Sequence, residues 1–319
     1  MAVTTDPFTG ADLAGFIPEV WTPLVLEQLF AKAVAANFFT DLSEYMTGGG
    51  DIAHVPEVFT NAFSVQTQST QGAEITTAGP AQGDITLTVS THSYVAYIIG
   101  DLTARQLMSS YGFNEVYTGK AAGTLRIDLE DALFALWSGL TTNAIGDTAT
   151  VLSDAEIRQG INALESANFD TLDGDVSFFF HPYTFYVQLG AVAKYYDQSQ
   201  RGPLSAAGFV QSGNMGAGNY KTGLRGVLYG IPTHVSSRIV SGLQTYRNLL
   251  CHKTAFGYAT QYLPTPLSAT MEMSRVRAQT SYELRNLGWL TVVDLIYGVV
   301  ELRDAAAVLL NGSSAFIGS

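Results

Sequence analysis

The sequence predicts an α+β protein in which one long helix and a late set of strands support segments that have no core of their own. Three observations carry that prediction. From Arg105 to Leu140 apolar residues recur at Met108, Tyr111, Ala122, Leu125, Leu129, Leu133, Leu136 and Leu140, mostly at helical steps. Between Phe59 and Gly83 the chain is rich in Thr, Gln, Ser and Gly, and the segments on either side alternate as strands. Four β-like runs come after Ala269, set apart from the earlier strands by helices, a mixed order that reads as α+β.

The N-terminal residues, Met1 to about Ile17, are small and polar and read as an extended arm. Pro18 suits a first helical turn, and Leu24, Val25, Leu29, Ala33 and Ala36 support a short amphipathic helix from Trp21 through Phe39. Gly48, Gly49 and Gly50 break it. Asp51 to Pro56 then alternates around Ile52 and Val55, and Asp84 to Val89 alternates through Ile85, Leu87 and Val89. Two such strands around a polar tip make a long β-hairpin, which needs a partner surface because an isolated hairpin is marginal in water.

Tyr94 to Ile99 is a further strand, and Asp101 or Thr103 can cap the helix that comes next. At about 1.5 Å per residue a helix from Arg105 to Leu140 spans ~50 Å, so part of it must lie along something extended. Gly112, Gly119 and Gly123 each cost ~1 kcal/mol of helix propensity. A bend is therefore expected in the middle, or else two core helices separated near Gly119.

Thr141 to Thr150 is a polar turn, after which Ser153 and Glu156 form a capping box ahead of Ile157, Ile161 and Leu164. Val176 to Phe180 is a continuous apolar strand, and Pro182 opens a helix carrying Phe185, Val187 and Leu189. Gly202 to Gly218 is a long glycine-rich loop. Val227 to Val235 is a strand-turn-strand about Gly230-Ile231-Pro232, and Thr254 to Tyr262 reads as a short helix ending before Pro264. The tail runs are Ala269 to Val276, Ser281 to Leu284, Trp289 to Val293 and Ile296 to Glu301.

Composition narrows the function. The 319 residues are 47% hydrophobic and only 14% charged, against ~25% charged in an ordinary soluble protein. Too few charges remain to dress an isolated globule of this size, which points to a homo-oligomer. With 16 basic and 28 acidic residues, a net charge of −12, and no basic residue between Lys32 and Arg105, nothing asks for a tightly held nucleic acid. The lone Cys251 excludes an intrachain disulfide framework and reads as a small buried hydrophobe. Met1 to Phe16 lacks the features of a secretory signal. The most apolar stretch, Trp289 to Leu310, is interrupted by Asp294, Glu301, Arg303 and Asp304, so it offers no bilayer span and no membrane partner.

Reactive chemistry is not legible. His54, His92, His181, His234 and His252 are scattered without metal-ligand spacing. Gly213 to Gly218 and Gly119-Lys120 lack the full patterns of phosphate-binding loops. Asp128, Glu130 and Asp131 read as a solvated or subunit-facing edge of the long helix. The expectation is no catalytic residue, no metal ligand, no cofactor and no enzyme.

The order of segments resembles the Hong Kong 97 type of major capsid protein of tailed bacteriophages over essentially the whole chain. The local likenesses are Phe16-Ile-Pro-Glu-Val-Trp21, Gly50-Asp-Ile-Ala-His-Val-Pro56, Gly100-Asp-Leu-Thr-Ala-Arg-Gln106, Gly230-Ile-Pro-Thr-His-Val235 and Leu250-Cys-His-Lys-Thr-Ala-Phe256. The resemblance implies a capsid fold with an N-terminal arm at Met1 to Met46 and an extended loop at Thr47 to Ile99. Gly100 to Thr150 with Pro264 to Val300 would be a peripheral domain holding the spine helix. Val151 to Leu263 with Glu301 to Ser319 would be the axial domain.

The same resemblance implies a shell protein: hexamers and pentamers of this chain tiling an icosahedral capsid around double-stranded DNA, in a virion assembled in the bacterial host cytoplasm. Separate scaffolding, portal and cement proteins are the other partners it implies, and DNA would be held by confinement with weak contact. Some members carry a long N-terminal scaffolding segment, whereas here the arm begins almost at Met1. The family's namesake locks its shell with a covalent Lys-Asn bond from the extended loop; no lysine lies between Lys32 and Arg105, so no such crosslink is expected. The competing reading is an encapsulin-like nanocompartment. Encapsulins generally carry an N-terminal cargo-groove helix, while Met1 to Phe16 looks extended. An oligomeric enzyme is the third.

Overall fold

The computed structural model describes residues 33–46, 50–58, 65, 67, 71–72, 74, 82–106, 113–140, 142–147, 150–189, 224–239, 241–242, 245–264 and 273–313. The expected arm before residue 33, most of the hairpin tip and the loop Gly202 to Gly218 lie outside them.

In chain order the helices are α1 (Ala35–Phe38), α2 (Asp101–Gln106), α3 (Phe113–Leu136) and α4 (Asp154–Ser166). The strands begin with β1 (Thr40–Asp41), β2 (Ile52–Val58), β3 (Gln82–Thr88), β4 (Thr91–Gly100), β5 (Ala144–Ile145) and β6 (Val176–Phe180). They continue with β7 (Leu224–Leu228), β8 (Ile231–Val235), β9 (Ser241–Gly242), β10 (Thr245–His252) and β11 (Phe256–Gln261). The last are β12 (Leu263–Pro264), β13 (Met273–Ser274), β14 (Val276–Glu283), β15 (Gly288–Glu301) and β16 (Ala307–Ser313).

Two sheets organise the chain. In the first, β15 pairs along one edge with β4 and along the other with β14 and then β11, which in turn carries β1. The second runs β5-β16-β10-β6-β8-β7, with β9 also on β10. Alternate side chains of a strand point to opposite faces, and this second sheet is covered on both. Phe178, Phe180, Leu250, Val308 and Leu310 meet Ile157 and Leu164 of α4. Phe179, Leu249, Cys251 and Leu309 face the other way, into a core with Phe39, Phe134, Trp137 and Phe256. Burial on both faces is why Val176 to Phe180 does not alternate: four of the five residues are apolar, and all five, Ser177 included, are buried.

α3 joins the two sheets. Ala121, Leu125 and Leu129, one helical turn apart, pack on Val293, Leu295 and Tyr297 of the first sheet. Further on, Leu133, Phe134, Trp137 and Leu140 enter the core shared with the second sheet. The helix runs without interruption through Gly119 and Gly123. The expected separation near Gly119 does not occur there; apolar packing on one face outweighs the loss of propensity. At about 1.5 Å per residue its 24 residues span roughly 36 Å. Gly112 lies outside the described residues.

Local signals hold where they are strongest. Ser153 caps α4 through the reciprocal box with Glu156, whose carboxylate accepts the Ser153 N–H at 2.6 Å. Between β7 and β8 the turn residues Tyr229 and Gly230 have φ of 53° and 86°, the two positive values a tight primed hairpin turn requires. Ala53 stands opposite Leu87, and Val55 opposite Ile85, in the expected hairpin.

Three other expectations are corrected. Thr254 to Tyr262 is not a helix: a short 3-10 turn, Lys253–Ala255, leads into β11, held between β15 and β1. Pairing on two sides overrides local preference. Trp289 to Val293 and Ile296 to Glu301 are parts of one 14-residue strand. The polar turn after α3 contains β5, whose residues pair with Leu309 and Leu310.

Candidate assembly surfaces

The segment entering from the N-terminal side is gripped by both α3 and the first sheet. Glu130, only 1% exposed, accepts the N–H groups of Val34 and Ala35 on Oε1 at 2.7 and 2.9 Å and that of Ala36 on Oε2 at 3.2 Å. From β11 the Tyr258 hydroxyl donates to the Ala36 carbonyl at 2.9 Å. Glu130 is therefore not on a solvated edge. Its neighbours are also engaged: Asp128 accepts from Ser93 at 2.6 Å and from Tyr297 at 2.8 Å, and Asp131 pairs with Arg238. Burial raises the Tyr297 phenol to about 12, and the Asp128 carboxylate beside it pushes the same way.

The hairpin is anchored at its root. Leu87 and Val89 are buried with Leu42, Met46 and Ala259, and Ala53 and Val55 pack against them. Gly298 is required where β15 passes under this root, because a Cβ there would stand 2.2 Å from the Thr88 carbonyl oxygen. The opposite face of the hairpin, with Ile52, His54, Pro56, Asp84 and Thr86, is exposed.

At one end of the first sheet, the turn after β14 and the start of α2 expose large apolar side chains together. Leu284 is 77% and Leu287 62% exposed, with Leu102, Tyr282 and Trp289 also exposed. The Asp101 N–H bonds to the Leu287 carbonyl at 3.0 Å, and the Tyr282 hydroxyl to Asp101 at 2.6 Å. These ties hold the apolar side chains in one place, and clustered exposed apolar surface marks an interaction site.

The histidines are dispersed in space as they are in sequence. His54 contacts Asp84, His92 contacts Asp294, His181 stacks on Tyr246 and His234 stacks on Phe179. Burial lowers the His181 pKa. His252 lies near Asp173 and Asp175, the ligand atoms of the three falling within 4.8 Å of one another. The Lys253 amine already sits 2.5 Å from Asp175 and supplies the positive charge there. Cys251 is fully buried, and burial pushes its thiol well above the ordinary value. Gly119-Lys120 lies inside α3, where the backbone is helical and forms no phosphate cradle.

No family model and no curated protein sequence matches the chain. Solved structures do. A structure from Mycobacterium phage Che8 superposes with a TM-score of 0.69 at 17% identity, covering 92% of this chain and 96% of that one. The capsid of cyanophage P-SCSP1u gives 0.66 at 13% identity, with 97% and 96% covered. The chain has the Hong Kong 97-like capsid fold. The same capsid fold is shared with the SrpI encapsulin of Synechococcus elongatus, at a TM-score of 0.62 and 11% identity over 98% of this chain and 99% of that one. Within this fold α3 bridges the two sheets.

Proposed function

We propose that this chain is the major capsid protein of a tailed double-stranded DNA bacteriophage, building hexamers and pentamers that close into an icosahedral shell. The observation that carries the reading is the fold match over 92% of the chain to a structure from Mycobacterium phage Che8 and over 97% to the capsid of cyanophage P-SCSP1u. Its role is structural rather than enzymatic. The low charge content, the anchored hairpin and the exposed apolar cluster support a subunit finished by its neighbours.

The domain plan assigns Met1 to Met46 to an N-terminal arm, Thr47 to Ile99 to the extended loop, and α3 to the spine helix. A peripheral domain takes Gly100 to Thr150 with Pro264 to Val300, and an axial domain takes Val151 to Leu263 with Glu301 to Ser319. The two sheets follow this division in part: β1 of the arm, β4 of the extended loop and β11 of the axial domain pair into the first sheet, and β5 of the peripheral domain into the second. Scaffolding, portal and cement proteins are the expected partners, and DNA is held inside by confinement.

An encapsulin-like compartment is the second reading, favoured by the fold match to an encapsulin. The absorbance ratio of purified particles at 260 and 280 nm separates the two. A nucleic-acid-dominated ratio in filled particles supports the virion, and a protein-dominated ratio with co-purifying protein cargo supports the compartment.

A further inference from the structure

The first amides of a helix have no acceptor within it. In α1 the N-cap residue is Val34, whose side chain makes no capping bond. The N–H groups of residues 34 to 36 are instead satisfied from α3, by a carboxylate 94 to 96 positions away in sequence. Bonds to an ionised acceptor are stronger than neutral ones. After this grip the chain is fixed again, by Thr40 Oγ1 donating to the Lys253 carbonyl at 3.2 Å and by β1 on β11.

We propose that Glu130 is the positioning residue that sets where, and in which direction, the N-terminal segment leaves the subunit. It holds residues 34 to 36 against α3. Its consequence for assembly rests on the capsid reading, since a shell subunit must aim its arm at a particular neighbour.

The charges around the grip give it a readable signature. On α3, Arg126 is the cation acting on Glu130; from β11, the Tyr258 phenol faces it, and Tyr258 in turn feels Asp41 and Arg275. Burial raises the Glu130 carboxyl above its ordinary value, outweighing the three N–H donors and Arg126, which lower it.

The test is hydrogen exchange on the full chain as wild type, E130A and E130Q, read as protection of the Val34, Ala35 and Ala36 amides and corrected for intrinsic exchange. In E130A all three donors lose their acceptor, and protection falls on the order of tenfold or more while β6 amides are unchanged. E130Q keeps an oxygen for Val34 and Ala35 and retains partial protection, while the Ala36 amide loses its acceptor. Protection equal to wild type in both variants overturns the proposal. If E130A fails to fold, the Ala36 amide in E130Q decides: lost protection supports the proposal and wild-type protection overturns it.

Particle images provide the assembly arm: folded E130A is expected to give fewer or irregular shells, and wild-type yield and regularity would overturn the positioning role. A wild-type chain that forms no shell refutes the capsid reading alone, leaving the exchange result to decide the grip.

Discussion

Phe179 is the residue whose truncation most directly tests the junction between the two sheets. It is fully buried, and its ring centroid lies 5.3 Å from Phe38, 5.6 Å from Phe39, 5.8 Å from Trp137 and 5.2 Å from His234. These neighbours come from the N-terminal segment, the end of α3 and β8, so no single element can move to fill the space that Phe179→Ala leaves. A buried Phe→Ala change costs about 3–5 kcal/mol, and a site walled by several elements belongs in the upper half of that range, about 4–5 kcal/mol. Urea unfolding of dissociated subunits, followed by tryptophan emission, is the assay, because Trp137 reports the same core. Leu284→Ala, at an exposed turn, is the control and should stay within about 0.5 kcal/mol. A Phe179→Ala loss below about 1.5 kcal/mol would refute the idea that one core ties the sheets together.

Three further outcomes are expected. Since the Tyr297 phenol is raised to about 12, its stabilising contribution is complete below the ordinary tyrosine value of 10 and is lost as pH rises from there through about 12; Tyr297→Phe should flatten this part of the alkaline unfolding curve. Arg277→Ala removes the guanidinium bonded to nearly buried Asp294 at 3.1 and 2.5 Å, leaves His92 as the partner of that carboxylate, and should cost about 1–3 kcal/mol, measured by the same urea assay. Mature particles on a reducing denaturing gel should give one band near 34.2 kDa, because the extended loop contains no lysine nucleophile; a covalent ladder would contradict this.

Local chemistry is legible in the sequence and distant pairing is not. Ser153 with Glu156, the alternation of Ile85 and Leu87, and the unbroken run Val176 to Phe180 each declare their state within a few residues. The α+β class comes from their order. Phe256 to Gln261 is different: its burial does not alternate, and its strand state is imposed by β15, some 40 positions later in the chain. Thr245 to His252, the strand between β16 and β6, escapes a sequence reading because its middle is buried on both faces and shows no period-two pattern. Glu130 misleads for a related reason. Flanked by Asp128 and Asp131, it looks like one of three surface acids, and only the fold reveals that its partners are the amides of residues 34 to 36.

The capsid reading is tested most directly by what the chain builds. Imaged by electron cryo-microscopy, both expressed by itself and co-expressed with the scaffolding protein expected as its partner, it should give closed shells whose surface resolves into rings of six and five subunits, with α3 and the hairpin placed at contacts between subunits. A population of soluble monomers or small open oligomers at native salt, with Gly48 to Gly83 resistant to protease, would contradict it.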